Sequence, residues 1–184
     1  FTSFGFVLLY LLAMAVRWLP LSRHVQWSSF RVIALLMLSW LFYAWHVPWY
    51  ILLILFSTVV DFIAGLLLGA TPQASILRRR LILTFSLTSN LALLGYFKYA
   101  GFLFGELNAL TGASWAVPQL ILPVGISFYT FQSMSYSIDV YRGVIQAERS
   151  FARFACYIAF FPQLVAGPIV RAKEFLYQFQ RRRR

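Results

Sequence analysis

The residues best suited to chemistry lie in an otherwise apolar segment, residues 122–143, which reads LPVGISFYTFQSMSYSIDVYRG. An ordinary lipid-facing helix would consist mainly of Leu, Ile, Val and Phe, whereas this one also carries hydroxyl, amide and carboxyl groups. Such groups are costly at membrane depth unless they have a partner or a function. The polar side chains of the segment are Ser127, Thr130, Gln132, Ser133, Ser135, Ser137 and Asp139.

Helical spacing distributes these polar groups over more than one face. Gln132, Ser135 and Asp139 share one face, while Ser133 and Ser137 lie on another, so the pattern predicts a helix surrounded by other helices. The serines can be packing residues that allow close helix approach. Gln132 and Asp139 are the stronger functional candidates, with an interfacial position as the alternative for Asp139.

A second segment, residues 160–171, reads FFPQLVAGPIVR and interrupts an apolar run with helix breakers. Gln163 lies among these breakers, where its amide could point into a cavity or belong to a solvated loop. We therefore predict a cavity whose lining is drawn from both segments. Its candidate residues are Ser127, Gln132, Ser135, Asp139, Gln163, Gly167 and Pro168.

Asp61 is an acidic residue deep inside a third apolar run. A carboxylate in such a position needs a partner, and Lys98 or a residue outside this sequence is the predicted one. A structural ion pair is the favoured interpretation over catalysis. Asn90 is predicted to be a helix-packing residue that forms hydrogen bonds between helices.

The remaining reactive residue types offer little. His24 and His46 have neither a nearby relay residue nor metal-ligand spacing, so we predict that neither is catalytic and that the chain has no metal site. Cys156 is a single cysteine in an apolar run and is predicted to be an unreactive core residue.

Composition places these candidates in a bilayer. Of 184 residues, 61% are hydrophobic and only 11% are charged, which predicts an all-α, polytopic transmembrane bundle with broken or re-entrant helices. The net charge of +11 lies in the gaps between apolar runs, as in membrane proteins, and does not favour a nucleic-acid partner. The predicted runs are 4–19, 32–45, 49–68, 81–97 and 120–140, with a re-entrant or broken segment at 154–170.

Basic residues also predict the orientation. The connectors at 17–31 and 78–80 should be cytoplasmic, which leaves the N-terminus and the turn at His46 outside. A full crossing by residues 154–170 would carry Arg171 and Lys173 outside, against the same rule. A segment that dips into the membrane and returns removes that conflict. The chain starts at Phe1 and ends on four arginines, so both ends look cut and we expect it to be part of a longer protein.

Together, the segments LPVGISFYTFQSMSYSIDVYRG and FFPQLVAGPIVR resemble the bacterial membrane-bound O-acyltransferases, specifically the alginate O-acetyltransferase membrane-subunit type. The resemblance implies one membrane-embedded domain, residues 1–184, forming part of a funnel in the cytoplasmic membrane. It implies acyl transfer, with a base that activates the attacking hydroxyl and donors that stabilise the oxyanion. The family's histidine base is expected downstream of Arg184, so this chain alone is expected to be inactive.

The resemblance also implies substrates and partners. The donor would be acetyl-CoA or a carrier acyl thioester, with no bound cofactor, and the acceptor would be alginate, another exopolysaccharide or another cell-envelope molecule. The partners would be the lipid bilayer, a C-terminal half and extracytoplasmic acyltransferase proteins. Two alternatives stay open from the residues alone: a transporter or channel segment, because broken helices are typical of transporters, and a non-catalytic membrane scaffold.

Overall fold

A computed structural model describes residues 4–18, 25–45, 47–112, 115–116, 121–166 and 170–180 of the chain. Within these ranges the regular structure is helical, with no strand, as predicted. The helices are α1 (Phe4–Trp18), α2 (Val25–Ala44), α3 (Ile51–Ala70), α4 (Ile76–Thr111), α5 (Ile126–Tyr141), α6 (Phe151–Ala159), α7 (Phe161–Ala166) and α8 (Ala172–Gln180), with a short 3-10 turn, Pro48–Tyr50, before α3.

Helix α3 has the distribution of side chains expected of a helix in a bilayer. Its buried face carries small and polar residues, among them Ser57, Asp61 and Gly65. Its exposed face carries large apolar side chains such as Phe56 and Ile63. This is the reverse of a helix packed in water, and it fits a helix whose outer face meets lipid. The stretches Pro48–Ala70 and Ile76–Thr111 are long and apolar enough to cross a membrane, and the chain is an all-α membrane protein.

Helix α5 is the central element of the bundle. It packs against α3 and α4 on one side and against α6 and α8 on the other, while α2 covers α6 and α1 covers α2. The sequence prediction that neighbours surround this segment is therefore confirmed. Gly125, with a φ of 72°, precedes the first residue of α5, so the helix begins after the Pro123–Gly125 interruption rather than at residue 120.

Helix α4 is longer than the sequence pattern predicted. The predicted run covered residues 81–97, but the helix extends from Ile76 to Thr111. A single glycine costs a helix only about 1 kcal/mol relative to alanine, so Gly101 and Gly105 do not end it. It ends at Gly112, whose φ of 66° is the left-handed conformation that commonly terminates helices. At 36 residues α4 measures about 54 Å, more than the hydrocarbon core of a bilayer.

Helices α3 and α5 approach each other closely at Gly65. A Cβ atom added there would lie 2.6 Å from Tyr136 Oη and 2.7 Å from Tyr136 Cε1. The Tyr136 ring is fully buried, and its hydroxyl accepts a hydrogen bond from the Glu148 N–H at 3.0 Å. Because the ring is buried and its hydroxyl is hydrogen-bonded, it cannot move aside to make room for a methyl group at position 65.

We therefore expect Gly65→Ala to destabilise the protein by about 1–3 kcal/mol through overpacking. Gly95→Ala is the matched control, since no atom lies within 4 Å of its added Cβ, and it should leave stability unchanged or slightly raised. Thermal unfolding in detergent, followed by circular dichroism, measures both. Equal melting temperatures for the two variants would contradict the close approach.

Candidate functional site

A cluster of buried polar side chains surrounds Asp61. This side chain is fully buried on α3, and each carboxylate oxygen accepts two hydrogen bonds. Oδ1 accepts from Ser86 Oγ and, at 2.9 Å, from Ser137 Oγ. Oδ2 accepts from Ser133 Oγ and, at 2.7 Å, from Asn90 Nδ2. These five residues, from three helices, are called the Asp61 cluster below.

The Asp61 cluster stabilises a carboxylate with neutral donors. The prediction of an ion pair with Lys98 is wrong, because three hydroxyls and one amide surround Asp61. The Lys98 ammonium group instead lies 5.4 Å from the ring centroid of Tyr99. Four donors occupy both oxygens of the Asp61 carboxyl group, so the cluster satisfies its hydrogen bonding without a cation. It is enclosed by its partners, which fits a structural role better than that of a catalytic base.

Asn90 extends this cluster within the helix interface. Besides donating to Asp61, its side-chain oxygen accepts a hydrogen bond from Ser57 Oγ at 2.5 Å. Its amide also donates to the Ser86 carbonyl of its own helix, at 2.9 Å. The prediction that Asn90 joins helices through hydrogen bonds is confirmed. The two-face prediction for α5 is confirmed as well, since Ser133 and Ser137 both face Asp61.

The other face of α5 contacts the break between α6 and α7. The chain leaves the helix at Phe160, just before Pro162, which has no N–H to offer the carbonyl four residues earlier. Gln132 Nε2 donates to the Tyr157 carbonyl at 2.7 Å, close to the end of α6. From α2, Ser39 Oγ accepts a hydrogen bond from the Phe161 N–H at 3.4 Å. Side chains from two neighbouring helices thus form hydrogen bonds with backbone groups that have no partner within a helix at the break.

The two sequence segments singled out for chemistry meet at this break. Gln163 Nε2 donates to Gln132 Oε1 at 3.0 Å, and both side chains are buried. The Tyr157 hydroxyl donates to the Val170 carbonyl at 3.1 Å, which holds the chain beyond α7 against α6. The predicted face of α5 and the predicted broken segment therefore form one polar site.

The other predicted lining residues have less defined environments. Ser135 is partly buried and donates back to the Gln132 carbonyl at 2.7 Å. Ser127 and Asp139 are partly buried on α5. Gly167, Pro168, His24 and His46 lie outside the described residues.

Cys156 is fully buried on α6, and no group of three His, Cys, Asp or Glu side chains in the described part of the chain could hold a metal ion.

The sequence analysis missed Arg79, which connects three helix ends. The charge pattern places it in a cytoplasmic connector, yet its side chain is only 4% exposed. Nη1 donates to the Leu68 carbonyl at 2.6 Å and to the Thr71 carbonyl at 2.9 Å, and Nη2 donates to the Tyr141 carbonyl at 2.7 Å. The guanidinium group thereby caps the C-terminal ends of α3 and α5, where a positive charge is favourable. No local signal separates Arg79 from the two arginines beside it.

Comparison with known proteins agrees with the family suggested by the two segments. The probable alginate O-acetylase AlgI of Pseudomonas aeruginosa is 40% identical over 163 residues, which covers 86% of this chain and 31% of that protein. Its counterpart in Azotobacter vinelandii is 39% identical over 171 residues, covering 89% of this chain and 34% of the relative. No family model matches the chain, and no solved structure is similar to it.

Over this length the chain is similar to the alginate O-acetylases. A peptidoglycan O-acetyltransferase of Helicobacter pylori is also related, at 31% identity over 186 residues, covering 87% of this chain and 34% of the relative. The chain therefore spans about a third of the length of the curated relatives it matches. All three of these relatives are named O-acetylases or O-acetyltransferases.

Proposed function

We propose that this chain is part of a membrane O-acyltransferase that transfers an acetyl group to a hydroxyl of a cell-envelope polymer. The observation that carries the proposal is the 40% identity to an alginate O-acetylase over 86% of the chain. The fold supports it, because the two segments that resemble the family meet around Gln132 and Gln163. A polar site inside an apolar bundle suits a reaction that moves a small acyl group through a membrane.

The proposed donor is a cytoplasmic acyl thioester, either acetyl-CoA or an acylated carrier. The proposed acceptor is an exopolysaccharide such as alginate, with peptidoglycan as the second candidate because one relative is named for it. In this reaction an acceptor hydroxyl attacks the thioester carbonyl, the C–S bond breaks, and the hydroxyl proton passes to a base. The proposed contribution of this chain is to form the passage and to position the acyl group, together with extracytoplasmic partner proteins.

The proposed location is the bacterial cytoplasmic membrane, with several crossings and the N-terminus outside. The contacts of Leu164 and Val170 support this orientation. A Cβ at Gly125 would lie 3.1 Å from the Leu164 carbonyl oxygen, so α7 reaches the beginning of α5. By Val170 the chain is again beside Tyr157 of α6. A return of this kind keeps Arg171 and Lys173 on the cytoplasmic side.

Labelling of single cysteines tests this orientation. In a Cys156→Ala background, Lys173→Cys should react with a membrane-impermeant maleimide only after the cytoplasmic side is exposed. Arg78→Cys should behave in the same way, while Trp49→Cys, 77% exposed on the turn before α3, should react from outside. Labelling of Lys173→Cys from the outside would contradict the returning segment.

The function itself is tested in the source bacterium by deleting the gene and measuring ester-linked acetate in its purified exopolysaccharide and peptidoglycan. We expect one polymer to lose most of its O-acetyl groups and to regain them when the complete gene is restored. The polymer that changes identifies the acceptor. Unchanged acetate in both polymers would contradict the proposed function.

A further inference from the structure

Two buried tyrosines, Tyr43 on α2 and Tyr129 on α5, face each other near the break between α6 and α7. Tyr43 is 6% exposed and Tyr129 is fully buried. Their ring centroids are 6.3 Å apart, with the rings edge to face. The two hydroxyls lie close to each other, and neither makes a hydrogen bond of standard geometry with any residue that the structure describes. By contrast, the buried hydroxyls of Tyr136 and Tyr157 both have backbone partners.

Helix geometry places this pair one turn from the break. Tyr43 follows Ser39 by four residues, and Tyr129 precedes Gln132 by three, so each tyrosine lies about one turn from a residue that caps the break. Because α2 and α5 contribute one tyrosine each, the two phenol groups are next to the site where the two family segments meet. Both helices hold their side chains in the packed core, so the position of the pair is fixed.

A buried hydroxyl without a partner destabilises the folded state, because it has given up its hydrogen bond to water. Two such hydroxyls facing each other are two donors that can converge on one oxygen atom. We propose that Tyr43 and Tyr129 form a binding site for a hydrogen-bond acceptor oxygen. Its ligand is either the carbonyl oxygen of the transferred acyl group or a buried water molecule, which present the same lone pairs.

The acyl carbonyl as ligand rests on the proposed function, whereas the site itself does not. If the ligand is the acyl carbonyl, the tyrosines polarise the group that the acceptor hydroxyl attacks. Two donors on a carbonyl oxygen stabilise negative charge as it develops there. If the ligand is water, the tyrosines have a structural role and the reaction does not depend on them.

Thermal unfolding of Tyr43→Phe and Tyr129→Phe tests the site without reference to activity. Each replacement removes only one oxygen atom, so both variants should fold. With acetyl-CoA added, so that either candidate ligand is present, each variant should melt about 2–4 °C below the parent protein, as Tyr157→Phe should. Tyr96→Phe, whose side chain is 53% exposed, is the control and should not change the melting temperature.

Infrared difference spectroscopy distinguishes the two ligands in the complete protein. An acetyl thioester with a ¹³C-labelled carbonyl should show a lowered carbonyl stretch in the parent and in Tyr96→Phe. If the ligand is the acyl group, the stretch should rise in both buried-tyrosine variants, and transfer should slow tenfold or more. A lower melting temperature with an unchanged carbonyl band would exclude the acyl group as the ligand.

The opposite sign of the stability change would overturn the proposal. If the hydroxyls are simply unsatisfied, replacing them by hydrogen relieves a penalty, and both phenylalanine variants should melt at or above the parent temperature. That result, together with an unaltered carbonyl band, would show that the pair binds no acceptor oxygen. A failure of the proposed function would instead leave the melting-temperature decrease in place and remove only the effect on the carbonyl band.

Discussion

Asp61→Ala is expected to destabilise the helix bundle severely. The change removes the acceptor of four hydrogen bonds, from Ser86, Asn90, Ser133 and Ser137. These donors belong to α4 and α5, and they are buried where water cannot replace the carboxylate. We expect a loss of roughly 3–5 kcal/mol, comparable to that of breaking a buried ionic network. The melting temperature in detergent should fall by about 10 °C or more.

Two further variants separate the effect of hydrogen bonding from that of charge. Asp61→Asn keeps the shape and one acceptor oxygen, and the serine hydroxyls can rotate to accept from the new amide, so we expect a smaller loss. Glu106→Gln removes an acid from the exposed surface of α4 and should have little effect. If Asp61→Ala melts at the same temperature as Glu106→Gln, the cluster does not hold the three helices together.

Arg79→Met is expected to cause a second large loss of stability, of about 2–4 kcal/mol. The methionine keeps much of the apolar stem but leaves the carbonyls of Leu68, Thr71 and Tyr141 without their donor. It also removes a positive charge from the C-terminal ends of α3 and α5. The effect should appear as a lower melting temperature and as faster hydrogen exchange at the ends of these two helices.

The neighbouring arginine supplies the matched control. Arg78 is exposed one position earlier on the same helix, so Arg78→Met removes the same charge without removing the caps. It should change stability by no more than about 0.5 kcal/mol. Arg79→Lys should fall between the two, since an ammonium group cannot reach three carbonyls in the fixed geometry of a guanidinium group. Equal losses for Arg78→Met and Arg79→Met would show that charge, rather than capping, is responsible.

Much of the site was predictable from local patterns. The rotation of a helix was enough to place Ser133 and Ser137 on a different face from Gln132, and the structure uses these faces for separate partners. The breakers around Gln163 predicted an interruption in the apolar run, which occurs at Phe160. Composition predicted the membrane environment, because no packing arrangement could bury so much apolar surface in a chain of this length.

The remaining features depend on contacts between residues far apart in sequence. Asp61 and Ser133 are separated by 72 positions, so nothing local to Asp61 indicated that hydroxyls rather than Lys98 would surround it. Arg79 differs from the arginines on either side only in the direction it faces, which depends on how α3 and α5 end beside α4. The length of α4 was underestimated because glycine is a weak signal within a long apolar helix.

Transfer of labelled acetate across a vesicle membrane is the most direct test of the central claim, that this chain belongs to a membrane O-acyltransferase. The complete gene product would be reconstituted into lipid vesicles, with radiolabelled acetyl-CoA on the side that exposes Arg78 and alginate on the other. The account predicts ester-linked label on the polysaccharide, which mild alkali should release as acetate. Label that stays with the donor, for alginate and for peptidoglycan fragments alike, would contradict the claim.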